Sequence, residues 1–338
     1  MLTARSTPNI ALIKYWGNRN EELRLPMADS LSMTLDHPIV EISLETSDRL
    51  AIHSFDSDGR AKTLTENQVS RWQKTLALCR RYLATLDESE VLPETIALTI
   101  RSHIPPSVGL ASSAAVFSCL AKAIAGFIAE KIPLTDEQVS ILARLGSGSA
   151  ARSIFGGFSA LRAGEGKEIG SSAAIQIAPE DHWLLHDIVI IPSHDEKKVG
   201  STEGHALAST SPFYAQRVED IRRKRQPECI DAVLKRDFEK LQRVAEEDAL
   251  DMHHVMETST PSLSYLTADT HRIVAAIRNL RTKEHLPVLF TMDAGPTVHL
   301  LCTDEAKSHV LDFAKQQKGC TIFEAKVGPG ARIIEQTL

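Results

Sequence analysis

Four short stretches of the 338-residue chain gather side chains able to do chemistry. In FTMDAGPTVHL (290–300), Asp293 follows an apolar run and precedes Ala-Gly-Pro, so its carboxylate belongs at a strand end on a tight turn. Facing a cleft, that is where a general base is wanted; an Asx turn would give the same pattern. In GSGSAARSIFGGF (146–158), Arg152 is the only charge among Ser147, Ser149 and Ser153. Its guanidinium suits bidentate capture of a carboxylate or phosphate, though a surface arginine beside a helix cap also fits. In IPPSVGLASSAAVFSCLAKAIAG (104–126), prolines and Gly109 punctuate a turn, and Leu110, Ala111, Ser112 and Ser113 open an apolar helix. Its free N–H groups and positive dipole end would face an anion, although a packed helix start built from small residues reads the same way. No Gly-Lys-Ser/Thr closes the turn, so it is not a Walker A loop. Last, PNIALIKYWGNRN carries Lys14, Tyr15, Asn18 and Arg19 at the end of an apolar run. This is an anion-binding strand end, or an edge strand with solvated charges.

The elements that must position these groups follow from hydrophobic period. Pro38–Thr46 and Leu50–Ser54 alternate and read as a hairpin, Gln68–Leu86 as an amphipathic helix, Thr95–Ser102 as a strand and Ser112–Glu130 as a helix. Beyond strand His186–Pro192 and the polar loop SHDEKKVGSTEGH come helical patterns at Pro212–Arg225, Asp237–Thr258 and Leu266–Arg281. Strands Val288–Met292 and Val298–Cys302 flank the MDAGP turn, followed by helix Glu305–Gln317 and strand Cys320–Lys326. A β-rich half followed by mixed helices and strands predicts an α+β fold of two lobes with a cleft, 1–185 and 186–338.

Composition is that of an ordinary globular protein, 43% hydrophobic and 24% charged. With 38 Lys plus Arg against 44 Asp plus Glu, the net charge of −6 argues against nonspecific nucleic-acid binding but allows a basic pocket for a small anion. The five cysteines, Cys79, Cys119, Cys229, Cys302 and Cys320, form no metal-ligand or disulfide pattern and read as buried thiols. His253 and His254 lie in a helical pattern without a third ligand and read as packing and surface residues. No secretory leader and no long apolar run is present, so the expectation is a cytoplasmic protein with no membrane partner.

Taken together, NIALIKYWG (9–17), SLSMTL (30–35), GLASSAA (109–115), GSGSAARSIFGGF (146–158), VGSTEG (199–204) and FTMDAGP (290–296) resemble the mevalonate diphosphate decarboxylase and phosphomevalonate decarboxylase family of the GHMP kinase superfamily. The matches run in family order over nearly the whole chain. The resemblance implies a GHMP kinase fold, with an ATP-binding N-terminal lobe like ribosomal protein S5 domain 2 and a ferredoxin-like C-terminal lobe. It implies ATP with Mg2+ as cofactors, an anionic small-molecule substrate and a homodimer. Asp293, Arg152 and Lys14 match catalytic positions. Tyr15, Asn18, Arg19, Ser147, Ser149, Ser153 and Ser201 match the substrate side. Ser102, Gly109, Leu110, Ala111, Ser112, Ser113 and Lys197 match the nucleotide side.

Two departures bear on the substrate. Where many of these decarboxylases read KYWGK, this chain has Asn18, and Ala28 stands in PMADSLS where Asn is common. Losing a cation near the terminal phosphate should weaken recognition of a second phosphate about ten- to a hundredfold. The expectation is therefore decarboxylation of mevalonate 5-phosphate, with Arg19 binding its single phosphate. Mevalonate 5-diphosphate is the alternative. A pure mevalonate 3-kinase or a binding module fits less well, because Arg152 and Asp293 are both retained.

Overall fold

The computed structural model describes residues 1–87, 91–104, 112–192 and 200–336. Among them the chain forms an α+β arrangement of three sheets with four or five strands each, a two-stranded ribbon, and helices packed between and outside the sheets. No helix of the described residues is long and apolar enough to cross a membrane. Cys79, Cys119, Cys229 and Cys302 are buried free thiols and Cys320 is partly exposed.

The first sheet runs Arg332–Gln336, Leu2–Ser6, Val40–Thr46, Ile96–Ser102, Ala51–Phe55. Val40–Thr46 and Ala51–Phe55 therefore do not form the expected hairpin. Ile96–Ser102 inserts between them, antiparallel to the first and parallel to the second. Alternation identified the strands but carries no information about which backbone edges pair. The last strand returns to pair with the first, so the C-terminal residues complete an N-terminal sheet. Helices Glu66–Leu83 and Ser112–Phe127 contribute Trp72, Leu76, Cys79, Leu120 and Ile124 to the core beneath it.

The second sheet, ordered Ala174–Ala178, Phe158–Leu161, Ser30–Thr34, Asn9–Ile13, brings the two halves of the chain together. Asn9–Ile13 is an edge strand, yet all five residues are buried. Its run NIALI lacks alternation because both faces are covered. Ile10, Leu12 and Ile13 share one core with Leu241, Val244 and Ala245 of helix Phe238–Glu257 and with Leu289 and Leu301 of the third sheet. A bulge leaves Leu12 out of the ladder, with Ala11 opposite Ser32 and Ile13 opposite Leu31. Bulges re-aim side chains, and this one lies just before Lys14.

The third sheet is ordered Val288–Thr291, Val298–Thr303, Leu185–Ile191, Thr321–Lys326, with helices Ala268–Glu284 and Lys307–Lys315 packed on it. Three helices were missed, and one of them, Ser201–Leu207, begins inside the stretch SHDEKKVGSTEGH that reads as a loop. Asp136–Gly146 starts at a Thr135/Gln138 capping box, a legible signal. Gln226–Lys235 continues from Tyr214–Asp220 through one π-helical turn, Ile221–Arg225. Pro227 sits in the first turn of this helix, directly after the π-helical turn in which Gln226 N–H reaches back to Ile221 O.

Candidate active site

Strand Asn9–Ile13 delivers Lys14 to the floor of a cleft of about 170 Å3 between the two halves. Lys14 is only 2% exposed, and its Nζ donates to Asp293 Oδ1 at 2.7 Å. The main chain of Lys14 is clamped from the second half. Its N–H donates to Asp248 Oδ2 at 2.7 Å, and Arg217 donates to its carbonyl at 3.4 Å. Asp248 is fully buried and also accepts from Arg217 at 3.0 Å and Arg225 at 3.4 Å, while Asp251 accepts from both arginines. Two guanidiniums and two carboxylates thus compensate one another behind the lysine.

Asp293 sits on the turn after strand Val288–Thr291, with Gly295 N–H closing on its carbonyl at 2.7 Å. Its side chain is 43% exposed, opening only toward the cleft. Burial pushes the carboxyl pKa up, but Lys14, His299 and Arg152 together hold it below the ordinary aspartate value. For Lys14 the balance is reversed. Burial pulls the ammonium down more than Asp293 lifts it. His253, buried beside Lys14 and against the main chain of Asp293, is held neutral, down to about 4, chiefly by desolvation. It is packing, as the sequence suggested, but packing directly behind the carboxylate. His254 is exposed and lies on Phe213.

Arg152, in the 3-10 turn Gly148–Ile154, is 2% exposed and lines the same cleft. Ser30 Oγ and Asn9 Oδ1 accept from its two terminal nitrogens at 2.5 and 3.2 Å. Among the described residues it has no carboxylate within ion-pair distance, and its buried Nε–H has no acceptor. Burial lowers its pKa to about 10, so it remains a cation. Ser147, Ser149 and Ser113 also line the cleft, their hydroxyls linked at 3.1 and 3.2 Å. A Cβ on Gly148 would fall 2.3 Å from the ring of Tyr15, so this backbone approaches as closely as it does only because the residue is glycine.

The other end of the cleft is lined by Tyr15, Trp16, Asn18, Glu21, Arg24, Arg71 and His205. Gly17 has φ +88°, and a Cβ there would overlap the Tyr214 hydroxyl. That is the physical content of the glycine in KYWG. Tyr15 is kept protonated, raised to about 12 mainly by burial, and its hydroxyl donates to Asn18 Oδ1. The Asn18 amide donates to Glu21 at 2.8 Å. Sequence reasoning missed Arg24, Arg71 and His205, which lie outside the motif cores. The signal for His205 was its place just beyond VGSTEG, and that for Arg71 was a cation beside Trp72 on a helix.

Not every expected residue reaches the cleft. Arg19 turns away, its guanidinium donating to Gly166 and Ala163 carbonyls and to Ser171 Oγ, so it cannot serve the single phosphate assigned to it. Ser153 is fully buried behind the site and accepts from Asn9 at 2.8 Å. Ser102 lies off this cleft and accepts from Ile104 N–H at 3.4 Å. Gly109, Leu110, Ala111 and Lys197 lie outside the described residues, as do the side chains of Ser112 and Ser201.

Comparison with known proteins defines the class. Family models described as "Diphosphomevalonate decarboxylase-like N-terminal domain" and "Mevalonate 5-diphosphate decarboxylase C-terminal domain" match residues 6–174 and 187–327. The chain is 32% identical to the diphosphomevalonate decarboxylase of Candida albicans, over 98% of this chain and 97% of the relative. It is 30% identical to that of Homo sapiens, over 90% and 77%. Among solved structures, mevalonate diphosphate decarboxylase from Staphylococcus aureus matches with a TM-score of 0.86 at 32% identity, covering 99% and 98% of the two chains. MDDEF in complex with MVAPP, AMPPCP and magnesium matches at 0.85 and 30%, covering 99% of each. The molecule is thus an ATP-dependent carboxy-lyase with the GHMP kinase fold. It belongs to the diphosphomevalonate decarboxylase family.

These relatives overturn the expectation of mevalonate 5-phosphate as substrate, since they are diphosphomevalonate decarboxylases and MDDEF was solved with MVAPP. The error lay in treating one missing lysine as the whole charge of the subsite. Arg24 and Arg71 face the same cleft as Asn18.

The clamp on Lys14 yields a prediction. Asp248→Asn removes the fully buried partner of both guanidiniums, leaving Arg217 and Arg225 to share Asp251, with Glu247 and Asp220 at 3.4 and 4.0 Å from Arg225. Breaking a buried ion pair on one side costs about 3–5 kcal/mol, so urea unfolding should report a loss of that size. A loss under about 1 kcal/mol would contradict the clamp.

Proposed function

We propose that this chain decarboxylates mevalonate 5-diphosphate to isopentenyl diphosphate, consuming ATP and releasing ADP, phosphate and CO2. The single observation that carries the reading is an ionised carboxylate, Asp293, held by a buried lysine in the same cleft as Arg152, a buried cation with no ion-paired carboxylate among the described residues. The γ-phosphoryl group passes to the substrate's 3-hydroxyl, whose proton goes to Asp293. Acceptance is late in a loose phosphoryl transfer, so an anion below the usual carboxylate pKa is basic enough. The C3–O bond then breaks with its electron pair leaving on phosphate. The C1–C2 pair becomes the C2–C3 double bond as CO2 departs. Positive charge building at C3 is favoured by the nearby Asp293 anion.

Arg152 is the group for the C1 carboxylate. Ser30 and Asn9 are neutral, so they fix the guanidinium plane without competing for its charge. Ser147 and Ser149 are placed to bind the substrate's oxygens, and Tyr15 to donate near its phosphate end. Lys14 keeps Asp293 ionised and oriented. Ser113, at the start of helix Ser112–Phe127, is the described hydroxyl on the nucleotide side.

Magnesium fits this donor set as an ion brought with the nucleotide. Among the described residues no three His, Cys, Asp or Glu side chains cluster to hold a metal. Mg2+ typically keeps waters and phosphate oxygens and needs few protein ligands, for which Asp293 and Ser113 are the available oxygens. When bound, it would neutralise charge on the transferred phosphoryl group.

The reading is tested by supplying ATP with mevalonate 5-diphosphate and measuring ADP, phosphate and CO2, which should form in equal amounts. ADP without CO2 would indicate a 3-kinase. Asp293→Asn should fold and bind ATP but lose about 10²- to 10⁴-fold in kcat, and retention of more than a tenth of the rate would remove Asp293 from the reaction. Arg152→Lys keeps the charge but not the planar fork. It should lower kcat as well as affinity, because CO2 loss needs the C1–C2 bond aligned with the departing phosphate. Near-normal kinetics would place the carboxylate elsewhere.

A further inference from the structure

We propose that Arg24, with Arg71 and the Nε2–H of His205, forms the subsite for the substrate's terminal phosphate. Arg24 supplies there the positive charge that position 18 lacks. The inference rests on the reading above and names the residues that set its preference for a diphosphate.

Arg24 and Arg71 line the cleft with Tyr15 and Asn18, and among the described residues neither has a carboxylate within ion-pair distance. Each is oriented by a neutral carbonyl. Arg24 Nε donates to Leu145 O at 3.2 Å, and Arg71 donates to Gly146 O at 2.9 Å while lying over the Phe117 ring. Carbonyls of adjacent residues therefore hold the two guanidiniums side by side without neutralising them. Their proximity registers electrostatically: burial lowers Arg71 to about 10, and Arg24 adds to that shift. Two like charges kept together and uncompensated suit a dianionic ligand and are costly without one.

His205 adds a fixed neutral donor. Its ring lies 4.5 Å from those of Tyr15 and Trp16, and its Nδ1 accepts from Gly17 N–H at 2.9 Å. Burial, with Arg24 contributing, lowers its pKa to about 3, so the ring is neutral. An acceptor at Nδ1 then leaves the single proton on Nε2. Among the described residues Glu21 is the one carboxylate lining this end, and the Asn18 amide holds it at 2.8 Å. Asparagine leaves charge selection to Arg24.

Arg24 also has an unusual backbone. Its φ is +49°, a left-handed conformation at the end of the Glu21–Arg24 turn closed by a hydrogen bond from Arg24 N–H to Glu21 O at 3.3 Å. Non-glycine residues seldom adopt it, and such positions concentrate at functional sites.

The test compares kcat/KM for mevalonate 5-diphosphate and mevalonate 5-phosphate in wild type, Arg24→Met and Arg24→Met with Asn18→Lys. Arg24→Met should reduce the diphosphate-to-monophosphate ratio about ten- to a hundredfold, the range for one charged hydrogen bond. Adding Asn18→Lys should recover at least about tenfold, because the cation returns from the other side of the subsite. Arg24→Gln, which can still donate to Leu145 O, should reproduce the loss and guards against misfolding of the methionine variant. An unchanged ratio in Arg24→Met and Arg24→Gln, or no recovery in the double variant, would overturn the inference while leaving the decarboxylase standing. A wild type inactive on the diphosphate would overturn the reading of function, and this inference with it.

Discussion

The contact between Lys14 and Asp293 is the interaction on which the rest of the site depends. Partial desolvation in the cleft pushes the Asp293 carboxyl toward protonation, and it stays ionised chiefly because a buried ammonium lies 2.7 Å away. That ammonium is itself disfavoured by burial. The pair is stable only as a pair, and only if the two backbones that carry it are fixed. Lys14 follows the edge strand of the second sheet and Asp293 a strand of the third, 279 residues later. Helix Phe238–Glu257 joins them. Its Asp248 holds the main chain of Lys14, its His253 lies against that of Asp293, and its apolar face shares a core with the strand leading to Lys14.

Charge is sorted along the cleft. The chain carries net charge −6, yet Lys14, Arg24, Arg71 and Arg152 all line this one cavity, against Asp293 and Glu21. Three of the four cations rest on carbonyls, hydroxyls or an amide, groups that orient a guanidinium without cancelling it. An anionic substrate therefore supplies the counter-charges. Desolvation then strengthens each contact. The neutral rings of Tyr15, His205 and Trp16, tilted against one another, form a wall that cannot gain charge near neutral pH.

What could be read from the sequence divides along a physical line. Chemistry concentrated in a short motif was legible. Asp293 in MDAGP, Arg152 in SGSAARS and Lys14 in KYWG all reach the cleft, because a tight turn or strand end determines locally where each side chain points. Elements with a clear period were legible too, but the strands Leu2–Ser6, Ser30–Thr34, Phe158–Leu161, Ala174–Ala178 and Arg332–Gln336 were not read from the sequence. Partners were not legible. Alternation in Val40–Thr46 and Ala51–Phe55 could not reveal the strand that separates them. Nor could Asn18 alone reveal the charge of its subsite, since Arg71 arrives from a helix some fifty residues away and His205 from one near residue 200. Arg19 failed in the opposite way. Its place beside KYWGN suggested phosphate, but three carbonyl and hydroxyl acceptors in the 163–171 loop claim it.

The most direct test of this account is the acid limb of kcat/KM against pH in wild type and in Lys14→Met. In wild type the limb contributed by Asp293 should lie at or below the ordinary aspartate value of 3.8, because Lys14 holds the carboxylate ionised. Without the ammonium, burial is opposed only by the more distant His299 and Arg152. The carboxyl pKa should rise, and the residual activity should acquire an acid limb displaced toward neutral pH. An acid limb at the same pH in both proteins would contradict the claim that the Lys14–Asp293 pair governs the reaction.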